Sequence, residues 1–400
     1  MVEPANLDAE MIDLDEVRAL TPGCVDGVFL DSAGSSLPPS PVVDEVIAHL
    51  RREEEVGGYR AAAERLDDLE AGYGVFADLL GCEPDEVAFT DGATRSWLAA
   101  FDAIPLGAGD RLLVTEVEYG GNAIAMLRKA NLVGATVEPI PSTSDGEVDI
   151  DALRGMLDER VRMVSLVHVP TNGGLVNPVA EVTEAAHEVG ALVLLDACQS
   201  IGQLPVSARD SGADIITGPG RKWLRGPRGT GVLVVRRDAR ERMTPTLIDN
   251  QRADWTAPDE IRLRDDAKVF ELWEHSAAGR LGLIAAARYA LELGIPAIAA
   301  AVADRAARLR TGLAAVPGVV LRDLGKQPCG IVTFTVDGLA PADVRAMLRA
   351  QNITVTVSAR EWTRYDMTRR GIEDLVRASP HYFITPEQLT TTVDAVEGLR

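Results

Sequence analysis

The sequence predicts an α/β fold: a mainly parallel central sheet flanked by helices, with a smaller α+β unit at its C-terminal end. Three observations lead there. Five short, nearly continuous Val/Ile/Leu runs lie between residues 111 and 236. Helical patterns separate several of them. The 400 residues exceed one ordinary core, so two domains are expected.

RLLVTEV (111–117), MVSLVHV (163–169), ALVLLDA (191–197), ADIITG (213–218) and GVLVVR (231–236) read as strands buried on both faces, because a strand with one wet face alternates polar and apolar residues. Between two of them, Val179, Val182, Ala186 and Val189 fall at helical spacing, and Gly190 offers a helix stop. Strands alternating with helices imply parallel pairing, and ligands of such sheets gather at the carboxyl ends of the strands. An alanine-rich, strongly helical stretch runs from about 276 to 315. GIVTFTVDG (330–338), a helix near 341–350, NITVTVS (352–358) and a last helix from about 386 complete an α+β pattern. The expected division is an N-terminal segment 1–30, a large domain 31–290 and a small C-terminal domain 291–400.

Composition narrows the function. The chain is 46% hydrophobic and 25% charged, as in a soluble globular protein. No apolar run reaches membrane-spanning length. The acidic start, MVEPANLDAEMIDLDE, is the opposite of a signal or transit peptide, so a cytoplasmic protein is expected. Cys24, Cys82, Cys198 and Cys329 are scattered, as are the five histidines. Neither a disulfide framework nor a metal site is indicated. A net charge of −21 opposes binding to nucleic acid or to anionic membranes. An anionic ligand therefore needs a local basic pocket.

TGPGRKWLRGPRGTG (217–231) supplies one, with Arg221, Arg225 and Arg228 for charge and five glycines for close backbone approach. Neither the Walker pattern nor GxGxxG fits it. Of 40 basic residues only Lys129, Lys222, Lys268 and Lys326 are lysines. Arginine stays protonated; lysine can shed its proton and attack a carbonyl. Lys222 alone sits in this loop. Asp196 ends the apolar run LLDACQS (194–200) at the ligand-binding end of the sheet. A carboxylate there is costly unless paired; it either caps the next helix or meets a ring cation. Aspartate, lysine and a phosphate pocket together suit pyridoxal 5'-phosphate.

The stretch DACQSIGQLPVSARDSGADIITGPGRKWLRGPRGTGVLVVRR resembles the cofactor segment of the class V aminotransferase family, which are fold-type-I pyridoxal-phosphate enzymes. Similarity extends from FLDSAGSSLPP (29–39) to VRASPHYFITPEQL (376–389). The resemblance implies that Lys222 bonds the cofactor aldehyde and later moves protons, and that Asp196 keeps the ring nitrogen protonated. It places Gln199 near the phenolic oxygen of the cofactor. Ala93 and Thr94 would bind phosphate by their amides and the Thr94 hydroxyl, with Arg221 pairing alongside. Asn172 would lie near the cofactor oxygen and the substrate carboxylate, and Arg377 would clamp that carboxylate.

Three departures bear on the reaction. Many relatives carry histidine where this chain has Tyr119; a tyrosine can stack on the ring and can act as an acid. Cysteine desulfurases carry a nucleophilic cysteine shortly before the RxS motif, and residues 359–376 contain none. ELWEHSAAGR stands where relatives have Gly-Thr. Family members are usually homodimers with shared active sites, so His275 (toward substrate), Ser276 (toward cofactor) and Arg280 are expected to reach the partner's site. The closest likeness is to ergothioneine-type C–S lyases. The expected activity is therefore β-elimination from a cysteine S-conjugate in secondary or thiol metabolism. Decarboxylation-coupled oxidative deamination or transamination on the same scaffold is the alternative, and a non-catalytic binding protein a second one.

Overall fold

The protein, as a computed structural model, is described over residues 12–399; residues 1–11 of the acidic start lie outside that range. Its main sheet has seven strands: Val87–Thr90 (β1), Arg111–Thr115 (β2), Thr136–Ile140 (β3), Val161–Val167 (β4), Leu192–Asp196 (β5), Ile215–Pro219 (β6) and Gly231–Val235 (β7). They lie in the order β1-β7-β6-β5-β4-β2-β3. β7 runs antiparallel to both neighbours, and the other pairings are parallel. Leu192 and Leu194 enter one apolar cluster with Trp97, Leu112 and Ile215. Val193 and Leu195 enter another with Leu113, Val164 and Ile216. Both faces of β5 are dry, which is why its sequence is continuously apolar.

Two strands stop short of their expected ends, at Thr115 and Val167. The residues beyond turn across the carboxyl edge of the sheet and become site walls. The alanine-rich stretch is two helices, Ala277–Leu293 and Ile295–Ala315, bent by 82°. Gly294 makes the corner at φ +80, a conformation that disfavours any side chain. The first helix packs on Ser40–Val56 and Leu66–Leu80, the second on Pro386–Glu397. The two helices thus pack on different partners on either side of Gly294.

Beyond the corner, Val319–Leu321, Val332–Val336, Asp374–Ala378 and Thr356–Ala359 form an antiparallel sheet in that spatial order. The expected strand 352–358 is interrupted at Val355. Its first part, Ile353–Thr354, pairs instead with Val28–Phe29 near the start of the chain. The described part of the N-terminal segment thus joins the C-terminal unit, and Arg18 ties it there by donating to the Phe383 carbonyl at 2.8 Å.

Arg225 corrects an expectation. It does not serve an anion. It is 1% exposed and holds φ +63. It donates to Tyr382 Oη and Thr21 Oγ1, both at 2.6 Å, and to the Leu37 carbonyl at 2.8 Å. Its guanidinium also lies 4.7 Å from the Phe383 ring. One side chain thereby joins the Lys222 loop, the N-terminal segment and the C-terminal unit. Arg225→Ala should cost about 3 kcal/mol, measured by urea unfolding, because it strands buried acceptors and an aromatic nest. Arg225→Lys should not restore it, since an ammonium lacks the fork.

Candidate active site

A cleft opens at the carboxyl ends of β2, β4, β5 and β6, with about 830 Å³ of free space out to its mouth. Tyr119, Thr171, Asp196 and Lys222 reach it from the ends of, or turns after, these four strands in turn. Asp196 is 5% exposed. Its Oδ1 accepts from the Cys198 N–H at 2.9 Å and its Oδ2 from Asn122 Nδ2 at 2.9 Å. Lys222 is half-buried in the cleft wall. Burial pulls its amine below the ordinary lysine range, and Arg221 pushes the same way.

Helix Ala93–Ala103 starts on the cleft wall, and no side chain caps its N-terminus. Its first-turn N–H groups have no acceptor within the helix. A Cβ at Gly231 would come within 2.6 Å of the Gly92 carbonyl carbon and 2.9 Å of Ala93 N, so β7 passes this turn only as glycine. Ala93, Thr94 and Arg221 all line this end. Arg221 Nη1 donates to the Gly34 carbonyl, while Arg228 is exposed away from the lining. Of the three loop arginines, one faces the cleft.

Gln199 lines the cleft, but both ends of its amide are engaged: Nε2 donates to the Ala33 carbonyl at 3.0 Å and Oε1 accepts from Trp223 Nε1 at 2.9 Å. Asn172 lies behind the wall. Its Nδ2 donates to Asp366 Oδ2 at 2.9 Å, and its neighbour Thr171 lines the cleft instead. Arg377, 7% exposed, stands behind Thr171 and donates to its Oγ1 at 2.6 Å and to Asp31 Oδ1 at 3.1 Å. Arg377 Nε is buried with no hydrogen-bond acceptor among the described residues.

His275 and Ser276 sit in a neighbouring groove that shares Asp91, Gly229 and Thr230 with the cleft. Ser276 Oγ accepts the Gly279 N–H at 3.0 Å, starting the helix from Ala277. Arg280 is tied within its own chain. It is 8% exposed, pairs with Glu271 at 3.7 Å and lies 4.3 Å over the Phe89 ring, on the wall of the same groove as His275 and Ser276.

Four residues of the site escaped the sequence reading as parts of it. Glu118 is 1% exposed and accepts from Asn122 Nδ2 at 3.0 Å; burial, with the charge of Asp196 adding and the Ser165 hydroxyl opposing, pushes its carboxyl up to about 8. The spacing of Glu118 and Asn122, four apart at a helix start, was the available signal. Trp362 stacks on Tyr119 with ring centroids 5.9 Å apart and planes 9° apart. No periodicity relates those two. Cys198 lines the cleft, and its thiol is held well above the ordinary range by burial, then by Asp196.

An uncapped helix start beside a cation, a lysine amine with weakened hold on its proton, and a buried carboxylate fit a group that carries phosphate, an aldehyde and a ring nitrogen. The family model for Aminotransferase class-V matches residues 28–391. The chain is 33% identical over 387 residues to a probable hercynylcysteine sulfoxide lyase of Mycobacterium tuberculosis (strain CDC 1551 / Oshkosh), covering 96% of this chain and 92% of that protein. It is 31% identical to a probable cysteine desulfurase 2 of Mycobacterium leprae (strain TN), covering 88% of this chain and 87% of the other. Among solved structures, the apo cysteine desulfurase of Thermococcus onnurineus NA1 superposes with a TM-score of 0.91 at 26% identity, covering 98% of this chain and 99% of that one.

Proposed function

The chain belongs to the aminotransferase class V family and is a pyridoxal-phosphate-dependent enzyme, and from that premise we propose that it cleaves the C–S bond of a cysteine S-conjugate or its sulfoxide by β-elimination. The observation that carries this reading is the wall around Tyr119. Trp362 backs its ring, and the segment 359–376 that supplies Trp362 has no cysteine. Cys198, the cysteine that does line the cleft, keeps its proton and so lacks the thiolate a desulfurase nucleophile needs. The relative named as a hercynylcysteine sulfoxide lyase supports the same substrate class.

Bound pyridoxal phosphate supplies an aldehyde that condenses with amines and a ring that accepts electrons from the α-carbon. Ala93 and Thr94 amides with Arg221 would hold its phosphate, and Asp196 would hold the proton on its ring nitrogen. Gln199, its amide held by Ala33 and Trp223, would form the wall on the phenolic oxygen side. Arg377, now bonded to Thr171, would reach the substrate carboxylate once that side chain turns aside, with Asn172 steadying the same wall. Lys222 Nζ takes the α-proton. The Cα electron pair then forms the Cα=Cβ bond, and the Cβ–S bond breaks. Sulfur leaves with its pair and takes a proton from Tyr119. The phenol has that proton to give: burial holds its pKa above the ordinary tyrosine range, and the charge of Asp196 adds to that.

Incubation with cysteine S-conjugates should give pyruvate, ammonia and thiol in equal amounts. Carbon dioxide or an amino-acceptor-dependent keto product would point to the alternative chemistries, and conversion without pyruvate would overturn elimination. Tyr119→Phe should lower kcat about a hundredfold while cofactor affinity holds. The loss should shrink for conjugates whose thiol is a better leaving group, read from a series of aryl thiols.

We also propose a homodimer, with His275 and Ser276 serving the partner's substrate and cofactor. A second, adjoining groove that His275 and Ser276 also line carries Tyr59, Leu66 and Trp273, which are 82%, 55% and 46% exposed. Light scattering of the holoenzyme tests this; a fully active monomer would overturn it.

A further inference from the structure

Two carboxylates are buried at the carboxyl edge of the sheet, and one amide joins them. Asn122 Nδ2 gives one hydrogen to Asp196 Oδ2 at 2.9 Å and the other to Glu118 Oε1 at 3.0 Å. Glu118 Oε1 also accepts the Tyr119 N–H at 2.9 Å. Glu118 Oε2 and Ser165 Oγ are buried neighbours: the hydroxyl is near enough to steady the carboxyl, but neither atom has a hydrogen-bond partner at 3.5 Å or less among the described residues. Turning the amide over would aim its oxygen at two acceptors, so the pairing fixes its orientation.

Two full negative charges on this bridge would repel each other, and an unpartnered buried oxygen is a poor place for the second. Asp196 is held at both oxygens by N–H donors; Glu118 is held at one. The proton therefore belongs on Glu118, in line with the direction burial and Asp196 push it. Tyr119, Tyr365, Cys198 and Lys222 are the other ionisable groups facing the pair, with Arg221 beyond them. None of them is a carboxylate, so Glu118 decides whether one or two acidic charges stand there.

We propose that Asn122 and Glu118 are positioning residues for Asp196: Asn122 stops its carboxylate from turning, and Glu118, in its neutral acid form, anchors that amide without adding a rival charge. The proposal rests on the reading of Asp196 as the partner of the ring nitrogen.

Three variants test it: Asn122→Ala, Glu118→Gln and Asp196→Asn. In reconstituted holoenzyme, equilibrium dialysis reads cofactor affinity, and the visible absorption of bound pyridoxal phosphate is followed against pH. Asn122→Ala should bind the cofactor about tenfold more weakly, having lost a hydrogen bond to a charged group, and its visible band should change at a shifted pH. Glu118→Gln, which keeps an acceptor toward Asn122 and puts an amide N–H where the neutral acid has its O–H, should keep wild-type affinity.

Apoprotein gives a readout independent of the cofactor. Unfolded Glu118 loses its proton near 4.5, whereas the folded residue keeps it to about 8. In that window the native state binds more protons, so wild-type stability falls with rising pH relative to Glu118→Gln; outside the window the two curves run parallel. Wild-type affinity and titration in Asn122→Ala, with Asp196→Asn perturbed, would overturn the inference alone. Identical stability–pH curves for wild type and Glu118→Gln would overturn it too. An Asp196→Asn protein with unchanged spectrum and affinity would overturn the ring-nitrogen reading and the inference with it.

Discussion

Lys222→Ala should lose turnover by at least about a thousandfold, and borohydride should no longer fix the cofactor to the chain, as read by intact mass. Lys222→Arg should be no better, because a guanidinium does not give up its proton. No other lysine can substitute. Lys129 donates to the carbonyls of Phe101, Asp102 and Ile104; Lys268 pairs with Glu70 at 2.7 Å and Lys326 with Glu147 at 3.4 Å. Lys222 is the lysine in the cleft, and burial there weakens its hold on its proton. Full turnover in Lys222→Ala would remove the basis of the proposed reaction.

Arg377→Ala should lower kcat/KM by roughly a hundredfold, about 3 kcal/mol, while cofactor affinity stays close to wild type. Two effects combine. The substrate carboxylate loses its partner, and Asp31 loses the guanidinium that offsets its burial. Burial already raises the Asp31 carboxyl, and Arg377 opposes that rise. Without Arg377, Asp31 should be driven further toward its protonated form. Arg377→Lys should rescue poorly, because the guanidinium spans Thr171 and Asp31 at once. A substrate amine lacking the α-carboxylate separates the effects: it should react equally slowly with wild type and variant. If Arg377→Ala discriminates against that amine as strongly as wild type does, the carboxylate role is wrong.

Much of this site is legible in the order of residues. Asp196 stands out because an acid at the end of a continuously apolar strand is expensive, and Lys222 because arginine serves almost everywhere else. Both signals are local and chemical. Arg225 misleads for the same reason: in sequence it is one more charge in a basic loop, yet it is a buried tie between distant segments. Asn172 and Arg377 were placed by resemblance, and the fold sets Thr171 between them and the cleft.

Strand runs, helix faces and the acid–lysine pair follow from periodicity and from the cost of burying charge, which act within a few residues, so the chain's own order of letters was enough for them. Contacts such as Asn122 with Asp196, 74 positions apart, or Tyr119 with Trp362, bring together groups that no spacing rule relates. Which acid keeps a proton depends on such neighbours and on exclusion of water, and both arise when the chain has packed.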